Sequence, residues 1–208
     1  MDKNIKKVKQ RAIQYWFIDG LAEVSSGLLC LLVAAFFWNW QVVFQVVFTI
    51  GRWGLLIVLT VGLVVSFGLR LIIQRIKERS TYIQTGYVTP FSGLEDKRSV
   101  VIAVALTIFF LGSNFYLTFL GKQALLWSCG LVGLVFASAF TWTGYLTALR
   151  RFYFLAFFSL IVGVTLAFLG FGYWDGTAIL IGLIGLILLF LGCQTRLVYM
   201  HQNPAPTK

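Results

Sequence analysis

The chain has few charged residues, few acids and a single histidine. Only 12% of its 208 residues are Asp, Glu, Lys or Arg, about half the share found in soluble domains. Because His201 is the only histidine, no histidine pair exists to hold a haem or a zinc ion. The sequence also lacks a Walker loop, a G-x-S-x-G turn and an H-E-x-x-H motif. These absences disfavour an enzyme, and we expect no cofactor and no metal.

The cysteines are equally sparse. Cys30, Cys129 and Cys193 fall in three different apolar stretches without a close Cys or His neighbour, which argues against a metal site and provides no disulfide framework. We predict that they are small core residues. The net charge of +10 does not indicate nucleic acid binding, because the basic residues are not interleaved with aromatics on a soluble face.

Apolar sequence is abundant and makes up 59% of the chain. A helix that crosses a bilayer needs roughly 20 mostly apolar residues, and six stretches satisfy this length. They are residues 15–38, 53–74, 99–120, 124–147, 151–174 and 177–200. The sequence therefore predicts an all-α integral membrane bundle of six transmembrane helices at 15–200, with a basic cytoplasmic tail at 1–14 and a second tail at 201–208. The first stretch is too long for a secretory signal, so we expect it to be a retained helix.

Positive charge is distributed unevenly among the connections. Fifteen of the 17 Lys and Arg residues fall in the N-terminal tail, the second and fourth connections and the C-terminal end, while only Arg52 and Lys122 fall on the other side. The positive-inside rule then predicts that both termini are cytoplasmic. A basic inner rim of Arg75, Lys77 and Arg79 is expected to attract anionic lipid.

Short outer links suggest how the helices pair. The links at 121–123 and 173–176 make helices 3 and 4, and helices 5 and 6, antiparallel neighbours, so the chain is expected to form three antiparallel hairpins. The Gly-x-x-x-Ala spacings that begin at Gly133 and Gly163 predict close helix packing. The first outer connection, residues 39–52, is expected to lie in the membrane interface.

The inner connection at 75–98 contains the segment "ERSTYIQTGYV", residues 78–88. This segment, together with "YWFIDGLAE" at 15–23, resembles uncharacterised bacterial multi-pass membrane proteins with a cytoplasmic Thr-Tyr-x-x-Thr-Gly-Tyr-Val loop. Those proteins carry Pro-Arg where this chain has Ile83 and Gln84. The resemblance implies a bacterial cytoplasmic (inner) membrane. We expect the loop to dock a partner through Arg79, Thr81, Tyr82, Thr85, Gly86 and Tyr87.

Two acids, Asp19 and Glu23, stand inside the first apolar stretch. On one continuous helix they share a face with Ser26 and Gly27, and such a narrow polar face points at protein rather than lipid. In an antiparallel first hairpin, Arg70 lies at about the same depth as the acids. A lone carboxylate there costs about 2–3 kcal/mol, so a bridge from Arg70 that clamps the hairpin is the simplest interpretation.

Two other interpretations of the cluster remain open. One acid takes up a proton or binds a cation while the other holds Arg70, or both acids reach the water at the headgroups.

Two functions fit these features. The first is a non-enzymatic accessory or scaffold subunit that packs with other membrane proteins or with a copy of itself. The second is a small proton- or cation-coupled transporter that uses Asp19, Glu23 and Arg70. We favour the first, because no proline interrupts the six stretches and the acids lie too near one membrane face for a midplane site. Lipid binding between the hairpins is a third interpretation.

Overall fold

The computed structural model of the chain describes residues 14, 17–50, 60–76 apart from 63, 66 and 70, 97–121, and 125–202. Their backbone is helical, with short turns and no strand in these ranges. Six helices have defined bounds and are numbered here in chain order: α1 (Leu21–Trp38), α2 (Trp40–Ile50), α3 (Lys97–Leu120), α4 (Ser128–Thr147), α5 (Arg150–Phe168) and α6 (Tyr173–Gln202). The prediction of an all-α chain is therefore confirmed.

Among the described helices, five are long and apolar enough to cross a membrane: α1, α4, α5, α6 and the Val100–Leu117 part of α3. With 11 residues, α2 is too short to span the bilayer. It occupies most of the predicted first outer connection. The predicted second span, 53–74, lies partly outside the described residues, and those of its residues that are described are helical.

The chain divides into two compact units. The first contains residues 1–16 and 90–180, and the second contains 17–89 and 181–208. The described part of the first unit comprises Gln14, α3, α4, α5 and the start of α6. In the second unit, α1, α2, the helical residues of 60–76 and the rest of α6 are described.

In the first unit, α4 and α5 pack side by side. A Cβ atom added to Gly133 would lie 2.9 Å from the Cα of Gly163, and one added to Gly130 would lie 3.8 Å from the Cβ of Ala167. Along this contact, residue numbers increase on α4 and decrease on α5, so the two helices are antiparallel. The predicted close packing at Gly133 and Gly163 is confirmed, because only glycine leaves room for this backbone contact.

The link between α5 and α6 lies at 169–172, earlier than the predicted link at 173–176. Gly170 has a φ of +72°, and its N–H donates to the carbonyl of Ala167 at 3.2 Å. Glycine adopts this left-handed conformation without steric cost, which ends α5. Asp175 then stands in the first turn of α6, where a negative charge is favourable.

The three cysteines have different surroundings. Cys129 is buried, and its Sγ fills the space that a side chain at Gly176 would need. Cys30 is half-buried and Cys193 is exposed. The prediction of a core position is thus right for Cys129 and wrong for Cys193, because no described part of the second unit covers its side chain.

Three hydroxyl groups in the middle of α4 are satisfied within the helix. The side chains of Ser138, Thr141 and Thr143 donate to the carbonyl oxygen four residues earlier, at 2.9, 2.8 and 2.9 Å. Such bonds allow polar residues to occupy a helix in lipid, where no water is present to pair with them.

A residue close to the chain start contacts the end of α4. The Nε2 of Gln14 donates to the carbonyl of Thr147 at 2.7 Å, which satisfies one of the carbonyls left open at a helix C-terminus. The next residue, Ala148, is exposed and has a φ of +54°. Glycine is the residue that normally stands at this left-handed position.

Replacing Ala148 with glycine should stabilise the protein. A left-handed conformation costs a residue with a Cβ roughly 1 kcal/mol, so Ala148→Gly should raise Tm by about 2 °C in detergent. The matched control is Ala105→Gly in α3, an exposed position inside a helix, where glycine should lower stability by about 0.5–1 kcal/mol. Equal effects of the two substitutions would contradict the left-handed cap.

Engineered disulfides should test whether α1 packs against α6 and whether α4 packs against α5. The added Cβ of Gly182 lies 3.6 Å from the Cβ of Ala34, inside the range of roughly 3.5–4.5 Å that a disulfide requires. With the native cysteines replaced by alanine, Ala34→Cys/Gly182→Cys should oxidise completely, and so should Gly130→Cys/Ala167→Cys. The measurement is the loss of alkylatable thiols by mass spectrometry.

The control pairs Ala34→Cys with Gly68→Cys. No atom lies within 4 Å of the added Cβ of Gly68, so both thiols should remain free. Oxidation of the control to the same extent would mean that the thiols meet by motion rather than by the packing described.

Candidate functional site

The acid pair lies at a helix start rather than on an unbroken helix. Gln14 and Phe17 are helical, but Ile18, Asp19 and Gly20 form a turn, and α1 begins only at the next residue. The predicted continuous helix over 15–38 is therefore wrong at this point. Gly20 has a φ of +71°, a conformation that glycine adopts easily and that interrupts helical hydrogen bonding.

Asp19 stabilises this turn. Its Oδ1 accepts the backbone N–H of Leu21 at 3.2 Å, one of the donors left without a partner at the start of a helix. Aspartate side chains compete with the backbone for such bonds, which favours turns and helix starts. Glu23 lies in the first turn of α1. Both carboxylates thus lie near the positive end of the helix dipole, which is worth about 0.3–1 kcal/mol for each.

The start of α1 packs directly against the end of α6. A Cβ at Gly20 would collide with the carbonyl oxygen of Gly192 and lie 3.0 Å from the backbone nitrogen of Arg196. A Cβ at Gly192 would lie 2.7 Å from the backbone nitrogen of Val24. At this level the two helices are in backbone contact, which we call the α1–α6 seam.

The seam continues one heptad further along both helices. A Cβ at Gly27 would lie 2.8 Å from the carbonyl oxygen of Gly185 and 2.8 Å from the backbone nitrogen of Leu189. Gly20 and Gly27 are seven residues apart, as are Gly185 and Gly192. This heptad spacing of small residues is typical of antiparallel helices with a shallow crossing angle.

Burial of the acids follows from the seam. Asp19 is 1% exposed and Glu23 is 2% exposed, although neither belongs to an apolar residue type. Glu23 and Gly27, four residues apart, share the buried face of α1. Ser26 is exposed instead, and its hydroxyl donates to the carbonyl of Ala22 at 2.9 Å. The predicted protein-facing stripe is thus correct for the acids and Gly27 and wrong for Ser26.

The described basic residue at this level is Arg196, and the pattern of the sequence does not connect it with the acids. Its backbone lies against Gly20, and its guanidinium lies over the ring of Tyr199 at 5.8 Å from the ring centroid. Tyr199 is buried as well. The signal that could have identified Arg196 is its position near the end of the last apolar stretch, because antiparallel packing of the first and last helices brings α6 residues there level with Asp19.

Several predicted site residues lie outside the described part of the chain. Arg70 is among them, so its predicted bridge to the acids stays a prediction. The loop residues Arg79, Thr81, Tyr82, Thr85, Gly86 and Tyr87 also lie outside the described residues. Arg75, of the predicted basic rim, is described and exposed. Within the described ranges, no group of three His, Cys, Asp or Glu side chains could hold a metal ion.

Comparison with known proteins identifies no relative: no family model, curated protein or solved structure matches the chain. The chemistry of the site must therefore be inferred from its geometry. Two carboxylates can bind a proton or a cation, but here they lie at a helix start whose backbone is in contact with α6.

Filling the α1–α6 seam should destabilise the protein. In Gly27→Ala the new methyl would meet backbone atoms of Gly185 and Leu189 at 2.8 Å, an overpacking that costs about 1–3 kcal/mol. Gly112→Ala is the matched control, because nothing lies within 4 Å of its added Cβ and alanine favours helix by about 0.5–1 kcal/mol. Reversible unfolding in mixed micelles measures both. Equal stability of the two variants would exclude backbone contact at Gly27.

Proposed function

We propose that this protein is a non-enzymatic polytopic membrane protein, an accessory or scaffold subunit that packs with other membrane proteins or with itself. The observation that carries the proposal is the closed α1–α6 seam, in which Asp19 and Glu23 are 1% and 2% exposed. Acids that bind a substrate ion need a path to water in at least one state. Asp19 and Glu23 instead stabilise a turn and a helix start.

The proposed topology has six spans in three antiparallel hairpins, with both termini in the cytoplasm of a bacterial cell. The distribution of Lys and Arg supports it. Two contacts agree with it: Gln14 meets the end of α4 at Thr147, and the start of α1 at Gly20 meets the end of α6 at Arg196. In this proposed topology, the chain start, the α4–α5 turn and the chain end all belong to the cytoplasmic side.

A surface for a partner is available on α3. None of the described side chains between Val100 and Leu117 is buried. Large apolar residues face outward along this helix, among them Ile108 and Phe115, which is 68% exposed. Because α3 is peripheral within the first unit, it is the face we assign to a membrane protein partner or a second copy. The loop at 79–87 is the proposed cytoplasmic contact.

One observation favours the transporter as a second candidate. The turn at Asp19 and Gly20 interrupts a helix beside buried acids, and interrupted helices commonly hold the ion sites of transporters. In those sites, however, the helix end faces a substrate, whereas here the Oδ1 of Asp19 accepts the N–H of Leu21 itself.

Photocrosslinking from α3 tests the scaffold proposal. A photoreactive amino acid in place of Phe115 should form a discrete adduct in native membranes, because this position is exposed. The control is Phe152, which is 3% exposed and should form none. The mass of the adduct separates a second copy of the chain from another protein. A monomeric purified protein without an α3 adduct would refute the proposal.

Proton flux in liposomes distinguishes the transporter. If the acids are structural, the reconstituted wild type and Glu23→Gln should both match protein-free liposomes. Double-mutant cycles of Glu23→Gln with Arg70→Gln and with Arg196→Gln then measure, as coupling free energies of unfolding, which of the two arginines stabilises Glu23. Flux in the wild type that Glu23→Gln abolishes would establish the second candidate instead.

A further inference from the structure

The exposed face of α5 is formed by large apolar side chains. Its most exposed members, at 47–74%, are Phe154, Phe157, Ile161 and Phe168. The small residues of this helix are buried instead, and they are Ala156, Ser159, Gly163 and Ala167. Helices in membranes pack on one another through small residues, so the exposed face of α5 is suited to lipid and lacks the surface that a second helix needs. On α3, by contrast, Ala105 and Gly112 are exposed.

A stripe of exposed residues runs along α4. Trp127, which precedes the helix, Leu134 and Tyr145 are 48%, 39% and 54% exposed. With 3.6 residues per turn, these three positions lie within about 20° of one line along the helix. Ser138 and Thr141 lie beside this line, but their hydroxyls donate to carbonyls of α4 itself. The middle of the stripe therefore needs no water, as is typical of a helix face in contact with lipid.

Aromatic side chains join α4 and α5 at both ends of this surface. At one end, the rings of Trp127 and Phe168 meet edge to face, with their centroids 5.2 Å apart. At the other end, the ring of Tyr153 lies against Gly144, the residue before Tyr145, and both tyrosines are exposed. We call Trp127 and Phe168 the first belt, and Tyr145 and Tyr153 the second belt. Tryptophan and tyrosine prefer the boundary between hydrocarbon and headgroups, so each belt indicates such a boundary.

The distance between the belts is close to the thickness of a membrane. Tyr145 follows Trp127 by 18 residues, which is about 27 Å at 1.5 Å per residue. The hydrocarbon core of a typical bilayer is about 30 Å thick. Residues 124–149 and 152–174 contain no Asp, Glu, Lys or Arg, and the exposed Arg150 stands in sequence between the two tyrosines of the second belt. Charge therefore begins only beyond that belt.

We infer that the exposed face of α4 and α5 is a lipid-facing surface that fits a phospholipid bilayer with a hydrocarbon core of about 27 Å, with one belt at each headgroup boundary. A thicker core would draw the belts into hydrocarbon, and a thinner one would leave apolar side chains among the headgroups. Because a typical core is about 3 Å thicker, this surface favours phospholipids with shorter acyl chains. Its partner is the bilayer, whereas the face proposed for a protein is on α3.

Quenching of tryptophan fluorescence by brominated lipid tests the lipid contact. Each variant of the full chain has a single tryptophan, at position 127, 134 or 145, and phenylalanine in place of the others. In phosphatidylcholine vesicles, bromine near the carbonyl end of the acyl chain should quench Trp127 and Tyr145→Trp roughly twofold more than bromine near the methyl end. Leu134→Trp, which lies between them on the same stripe, is the matched control and should show the reverse order.

Two results of this experiment would overturn the assignment. Absence of quenching at Trp127 and in Leu134→Trp would mean that protein, and not lipid, covers the stripe. The same depth preference in all three variants would mean that the stripe does not run from one headgroup boundary to the other.

The fit to bilayer thickness is tested in phosphatidylcholine bilayers of graded acyl-chain length, whose hydrocarbon thickness is measured by X-ray scattering. The wild type should have its highest Tm at a thickness of about 27 Å. Tyr145→Leu/Tyr153→Leu removes the second belt and extends the apolar stretch to Leu149, so the optimum should shift to bilayers up to about 6 Å thicker. Phe157→Leu removes an exposed ring between the belts and should leave the optimum unchanged.

The wild type by itself can refute the fit, since a Tm that is independent of thickness, or highest above about 33 Å, is incompatible with it. The same optimum in the wild type and in Tyr145→Leu/Tyr153→Leu would show that the belts do not set the preferred thickness. An equal shift in Phe157→Leu would lead to the same conclusion.

Discussion

Close approach of glycine backbones is the constraint on which the described structure depends. Lipid tails are as apolar as leucine side chains, so burial of apolar surface gives membrane helices little reason to associate. Backbone contact supplies the attraction, and it requires positions without a Cβ. Gly27 against Gly185 and Gly133 against Gly163 provide them in two different helix pairs, and an added Cβ at any of the four would meet a neighbour at 3.0 Å or less.

The buried acids follow from this packing. Gly20 both forms the left-handed turn before α1 and permits contact with Gly192. Its neighbour Asp19 is carried into the seam, where its carboxylate accepts a backbone N–H of the new helix. Glu23 enters on the same face as Gly27. Carboxylates at a helix start are stabilised by the dipole of that helix, which reduces the cost of removing them from water.

Much of the fold could be predicted from the sequence, and less of the site. The predicted stretches 124–147 and 151–174 match the end of α4 and the start of α5 to within one residue, and the Gly-x-x-x-Ala spacings predicted close packing there. That α4 and α5 pack against each other was not predicted, since the short links indicated only the pairs 3–4 and 5–6. The break at Asp19 and Gly20 was not predicted, because the apolar residues on both sides of this three-residue turn still form one stretch of membrane length. The pairing of α1 with α6 was also missed, since connection lengths inform only about helices adjacent in sequence. As a result, Arg196 was not recognised as a neighbour of the acids.

The sequence by itself determined the class of the protein: an all-helical chain with apolar segments of membrane length. The physical reason is local, because each helix satisfies its own backbone hydrogen bonds and bilayer thickness sets its length. Only the tertiary structure decided which helix faces Asp19 and Glu23. That choice depends on glycines far apart in the chain that allow two backbones to touch, and no local pattern specifies which glycines meet.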